Sequence, residues 1–157
     1  MSTTDQNKEF DHYVNSLPFA VLAYVRADGT PIQRRFGSFV KHEQDIFFST
    51  RRSAAKVKEI ESHPQVSFLF EAEGQKLSEW KSALVIGTAI PVTAETELKV
   101  AVHALGERNP RFKERVSKEG LENTRIFALR AAELELIDYS KGIGHTEKTS
   151  FAKAEET

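Results

Sequence analysis

Between residues 19 and 50 the chain reads FAVLAYV, ADGT, PIQRRFGSFV, KHEQD and IFFST in close succession. Connections this short cannot hold a crossover, so each strand-like run must return antiparallel to the one before it. Asp28-Gly29 lies at the centre of the first connection and is a strong hairpin signal. The three runs are expected to form an antiparallel meander, and everything after them must pack on it or extend it.

Residues 5–16 have Phe10, Tyr13 and Val14 at helical spacing, with Leu17 next and Pro18 as a stop. A second helix is predicted over 53–62, with Ser53 as its cap and Ala54, Val57 and Ile60 along one side. His63-Pro64 ends it, because a residue before proline avoids the helical region. QVSFLFE and SALVIGTAIPV follow as two strands, AETELKVAVHAL and NPRFKERVS as two helices, and TRIFALRAAELELIDY as one strand or two. About six mostly antiparallel strands with a few helices predict a small barrel of the α+β class. Closure is one of the few ways such a sheet can hide its edges.

At 157 residues the chain suits one domain. That domain is expected over 1–145, with 146–157 a polar, flexible tail. The net charge of −1, with acids and bases well mixed, gives no field for nucleic acid. The absence of cysteine excludes disulfides, thiolate metal sites and a cysteine nucleophile. The N-terminus lacks the form of a signal peptide, and no apolar run approaches bilayer length. The expected setting is cytoplasmic, without a membrane partner.

The segment STRRSAAK, residues 49–56, places Arg51, Arg52 and Lys56 with the hydroxyls of Ser49, Thr50 and Ser53 where a strand hands over to a helix. A helix N-terminus offers unpaired N–H groups and a partial positive charge, and phosphate binds there readily. Arg34 and Arg35 lie on the preceding strand and point to opposite faces, so only one is expected in the same pocket. Gly37 would let a flat group approach the backbone. The same residues also suit a solvated strand end and an ordinary capped helix.

The order RRFGSFV, IFFSTRRSAAK, HPQVSFLF and VIGTA resembles the pyridoxamine 5′-phosphate oxidase-like, FMN-binding split-barrel family, over roughly residues 15–92 and more loosely at 125–139. The resemblance implies a split barrel of six to seven strands with flanking helices, and a homodimer with FMN at its interface. Arg35, or Arg34, matches the strand arginine near the flavin phosphate. Phe36, Gly37 and Ser38 match the backbone facing the ring. Ser49 and Thr50 match the strand-end pair, and Lys56 the helix lysine on the phosphate. Ser82 falls where the oxidases place a glutamine from the partner subunit. Ala55 stands where they have a second basic residue, which Arg52 can replace from the loop; with Ser53, these residues make up the expected cofactor site.

True pyridoxamine phosphate oxidases carry a C-terminal tryptophan and arginine for substrate, whereas the one tryptophan here is Trp80. Similarity to the small general-stress-like members implies a flavin oxidoreductase with an unidentified small substrate rather than vitamin B6 oxidation. No nucleophile–base pair stands out, and in flavin enzymes the cofactor carries the chemistry. Two alternatives are a non-catalytic flavin module and a haem-binding or haem-degrading relative using His145 after KGIG. A deazaflavin in place of FMN is a further possibility. Of the other histidines, His12, His42 and His63 have no metal-ligand spacing among them, and His103 suits a helix-surface or packing role.

Overall fold

A computed structural model describes residues 3–151. Helix α1 (Thr3–Ser16) leads into β1 (Ala20–Val25), β2 (Pro31–Phe36), β3 (Phe39–His42) and β4 (Asp45–Arg51). Helix α2 (Ala55–Ser62), β5 (Gln65–Glu71) and β6 (Lys81–Pro91) follow. The chain then runs through α3 (Glu95–Arg108), α4 (Pro110–Glu119), β7 (Thr124–Asp138) and β8 (Thr146–Ser150). The sheet order is β2-β1-β5-β6-β7-β4-β3, with every pair antiparallel and β8 added to β7. This is the expected α+β split barrel.

The expected three-stranded meander is corrected in one respect. The run PIQRRFGSFV does not form one return strand. β2 pairs with β1, β3 pairs with β4, and the two halves lie at opposite ends of the sheet order. Only Gly37 and Ser38 separate them, so the sheet must curl until its edges meet at this corner. Phe36 and Phe39 both belong to the core although they are three residues apart, so strict alternation breaks here, as at a β-bulge.

Aromatic rings fill the barrel. Phe48 lies 5.9 Å from Phe36, 5.3 Å from Phe68 and 5.3 Å from Phe127, centre to centre. Phe10 and Val14 of α1 and Val57 and Ile60 of α2 join the same core. A second core lies on the other face of β3, β4 and β7, where Val40, Phe47 and Ile126 meet Ala101 and Leu105 of α3 and Phe112 of α4. Alternation along β4 explains the division: Ile46 and Phe48 point inward, and Phe47 points to the helices.

Two further expectations are corrected. Helix α2 begins at Ala55 with Ala54 at its N-cap and no side-chain cap, so Ser53 does not cap it. Residues 146–150, expected as the start of a tail, form β8 against Glu133–Ile137. Every β8 side chain is exposed, so no apolar alternation marks the strand. Residues 152–157 of the expected tail lie outside the described residues. Among those described, no helix is long and apolar enough to cross a membrane.

Candidate functional site

The strand-to-helix handover forms a rim on the inner side of the barrel. Phe36 of β2 packs edge-on against Phe48 of β4. Two residues before Phe36 and two after Phe48, on the same faces, stand Arg34 and the buried Thr50. Lys56, in the first turn of α2, brings its ammonium 4.9 Å from the centre of the Phe36 ring. Half-burial pushes the Lys56 pKa below its ordinary value, and the nearby charge of Arg34 lowers it further. No carboxylate of the described residues forms an ion pair with either cation; Arg34 donates only to the carbonyl of Gln33, at 3.3 Å. Like charges brought together at a half-buried helix start suit the binding of an anion.

Arg35 points away from this rim. Its guanidinium lies 4.2 Å from the centre of the Phe19 ring and pairs with Glu73 at 3.0 Å. Of the two arginines, Arg34 shares the surroundings of Lys56. Arg52 also turns aside: its N–H donates to the Asn123 carbonyl at 2.9 Å and its guanidinium to that of Thr124 at 3.4 Å. Ser53 is exposed beside the rim.

Ser38 and Ser49 form a separate pair. Their hydroxyls hydrogen-bond to each other, and Ser49 N–H donates to the Ser38 carbonyl at 3.0 Å. Ser49 is buried on the face of β4 opposite Thr50. Gly37 lies beside them; a β-carbon there would come within 3.3 Å of the Phe19 ring. Ser82 is buried on the outer side of β6, in register with Glu71 and Ile137. The structure therefore groups Arg34, Phe36, Thr50 and Lys56, and sets Ser38 with Ser49, Arg35, Arg52 and Ser82 in other surroundings.

One residue not singled out from the sequence reaches the Gly37 corner. Arg108, at the end of α3, donates to the carbonyl of Gly37 at 2.9 Å and to that of Leu17. Its guanidinium stacks 3.8 Å from the centre of the Phe39 ring. Those contacts span 71 and 91 residues of sequence, so no local pattern signals them. His145 sits in the turn before β8, with Nε2 3.2 Å from a Glu147 carboxylate oxygen.

Solved structures share this fold. The conserved hypothetical protein Rv2991 of Mycobacterium tuberculosis superposes with a TM-score of 0.72 at 22% identity, covering 98% of this chain and 95% of that one. A protein related to general stress protein 26, from Clostridium acetobutylicum, gives 0.69 at 10% identity over 95% and 96% of the two chains. HutZ of Vibrio cholerae, described as a haem storage protein, gives 0.64 at 24% identity over 83% and 91%. None of the curated proteins matches the sequence significantly. The family model for pyridoxamine 5′-phosphate oxidase matches residues 6–138, most of the described fold, and the chain belongs to that split-barrel family.

Proposed function

We propose that the protein is an FMN-binding flavoprotein, an oxidoreductase acting on a small substrate as a homodimer with FMN at the interface. The observation that carries this reading is the Lys56–Arg34 pair, two cations with no carboxylate partner among the described residues, beside an aromatic ring at the rim of a barrel of this family. FMN brings a dianionic phosphate, which suits that pair. The N–H groups of α2 and the Thr50 hydroxyl would add donors. Bound FMN supplies two-electron transfer at its ring, while the protein binds, orients and shields it. Phe36 limits how deeply the ligand enters.

A dimer fits the outer surface of the sheet. Register places Arg35, Val21, Leu69, Leu84, Glu135 and Lys148 in one row across the strands. Val21, Leu69 and Leu84 at its centre are half-exposed. Ser82 stands on this same side but is buried within its own subunit, so it is not offered to a partner.

The test is titration of the purified protein with FMN, riboflavin and haemin, followed by absorption. FMN should bind, and more tightly than riboflavin by the contribution of the phosphate. Equal affinity for the two flavins would remove the Lys56–Arg34 pair from the reading. A Soret band that forms with haemin and disappears in His145→Ala, with no flavin binding, would favour the haem alternative, which likeness to HutZ motivates.

A further inference from the structure

The cleft beside the Gly37 corner carries chemistry that the flavin reading does not use. It measures about 470 Å³ and is lined by residues of the α1–β1 turn, the corner itself and the α3–α4 junction. Among the described residues, Arg108 and Arg111 are its charged residues, and no aspartate or glutamate lines it.

The Arg108 guanidinium is fixed and under-used. One N–H of each terminal nitrogen is committed, to the carbonyls of Gly37 and Leu17. The Phe39 ring covers one face. Nε is buried without a partner. A guanidinium has five N–H groups, so one on each terminal nitrogen remains. No carboxylate of the described residues pairs with it, and burial lowers its pKa. Such a fixed guanidinium, with N–H groups still uncommitted, suits an oxygen of a carboxylate or phosphate.

Asn109 adds a donor. Its side-chain oxygen accepts from Arg111 N–H at 3.1 Å and from Phe112 N–H at 3.4 Å, as the cap of α4. The amide nitrogen remains as a donor in the cleft wall. Arg111 is exposed and adds charge at the mouth. Phe19, 45% exposed, offers an apolar surface opposite.

From this arrangement we infer that the cleft binds a small molecule bearing one carboxylate or phosphate group, its oxyanion on Arg108 and Arg111 and its body against Phe19. The oxyanion site stands on its own geometry; its use as the seat of the flavin enzyme's substrate rests on the reading above.

The test is a calorimetric titration of the apo protein with benzoate and with inorganic phosphate, each repeated on Arg111→Ala, Arg108→Lys and Lys56→Ala. Arg111 makes no side-chain hydrogen bond or ion pair within the described residues, so its variant should fold normally; melting curves check both arginine variants. Benzoate should bind wild type and Lys56→Ala alike, weaken at least fivefold in Arg111→Ala, and weaken further in Arg108→Lys, which keeps charge but loses the guanidinium. Amide chemical shifts at Gly37 and Asn109 should move on binding. If benzoate and phosphate fail to bind wild type at tens of millimolar, or if Lys56→Ala abolishes binding while Arg111→Ala leaves it unchanged, the inference is overturned. Benzoate binding at the arginines without any FMN binding would leave this site standing and remove the flavin reading.

Discussion

The Lys56 ammonium lies 4.9 Å from the Phe36 ring centre and faces the charge of Arg34 rather than a carboxylate. A cation in the first turn of a helix opposes the helix dipole, at about 0.3–1 kcal/mol. Without an anion, the contact with the Phe36 ring does little more than offset that cost, so Lys56 contributes little to the fold. Replacing it with alanine should leave the apo protein as stable as before or slightly more so. FMN should bind roughly 1.5–3 kcal/mol more weakly, about tenfold to a hundredfold, the contribution of a charge-assisted hydrogen bond. Riboflavin should bind both proteins equally. A destabilised apo variant that kept its preference for FMN over riboflavin would make the lysine structural.

The same lysine predicts a pH dependence. Its folded-state pKa is lowered from 10.5, so between the two values the unfolded chain holds more protons at this site than the native protein. Stability at this site therefore rises with pH through the window below 10.5. Lys56→Met retains an apolar stem over Phe36 without the charge. Urea melts of the apo proteins between pH 8 and 10.5 should show wild type gaining on Lys56→Met as pH rises. Saturating phosphate should reduce the gain, because a bound anion favours the charged lysine. A constant difference across the range would contradict burial of this charge.

Gly87 gives a test of the barrel independent of any ligand. The β6–β7 register shifts between Ile86 and Gly87, and a β-carbon at Gly87 would clash with the backbone carbonyl of Arg130. Backbone in the middle of paired strands cannot move aside as a side-chain end can. Gly87→Ala should cost about 2–3 kcal/mol, lowering Tm by roughly 5–10 °C for a domain of this size. A melting curve unchanged from wild type would mean that the bulge absorbs the methyl group.

Local features of the fold were legible in the sequence, and long-range ones were not. Asp28-Gly29 is a turn because of its own chemistry, and Gly29 does take a left-handed conformation. PIQRRFGSFV reads as a single strand because nothing local records that Arg35 pairs with Val21 whereas Val40 pairs with Phe47. That division is a consequence of closure. Ser53 has the chemistry of a cap, yet the helix starts two residues later, with Val57 N–H donating to the Ala54 carbonyl at 3.1 Å. In the candidate site, strand period separated Arg34 from Arg35 but left open which faced the lysine. Arg108 carries no local signal of its role, because its partners Leu17 and Gly37 come from distant parts of the chain.

The outer face of the sheet gives the test of assembly. Val21, Leu69 and Leu84 lie side by side across β1, β5 and β6, half-exposed, with Arg35 at one end of the row and Glu135 and Lys148 at the other. An apolar centre with charged ends is the pattern of an interface core and its rim. Leu84→Glu would place an unpaired charge at that centre, across from Glu135, while pointing away from the barrel core, so the monomer should keep its fold. Burying the charge should weaken self-association by about 2–5 kcal/mol, roughly thirtyfold to several thousandfold. Light scattering at micromolar concentration should then report a dimer for wild type and a monomer for the variant, with similar circular dichroism spectra. If the dimer completes the flavin site, FMN affinity should fall in Leu84→Glu although the residue lies on the face opposite the Lys56 rim. A variant that remains dimeric would move the interface elsewhere, and a monomeric wild type that binds FMN tightly would mean that the rim holds the cofactor unaided.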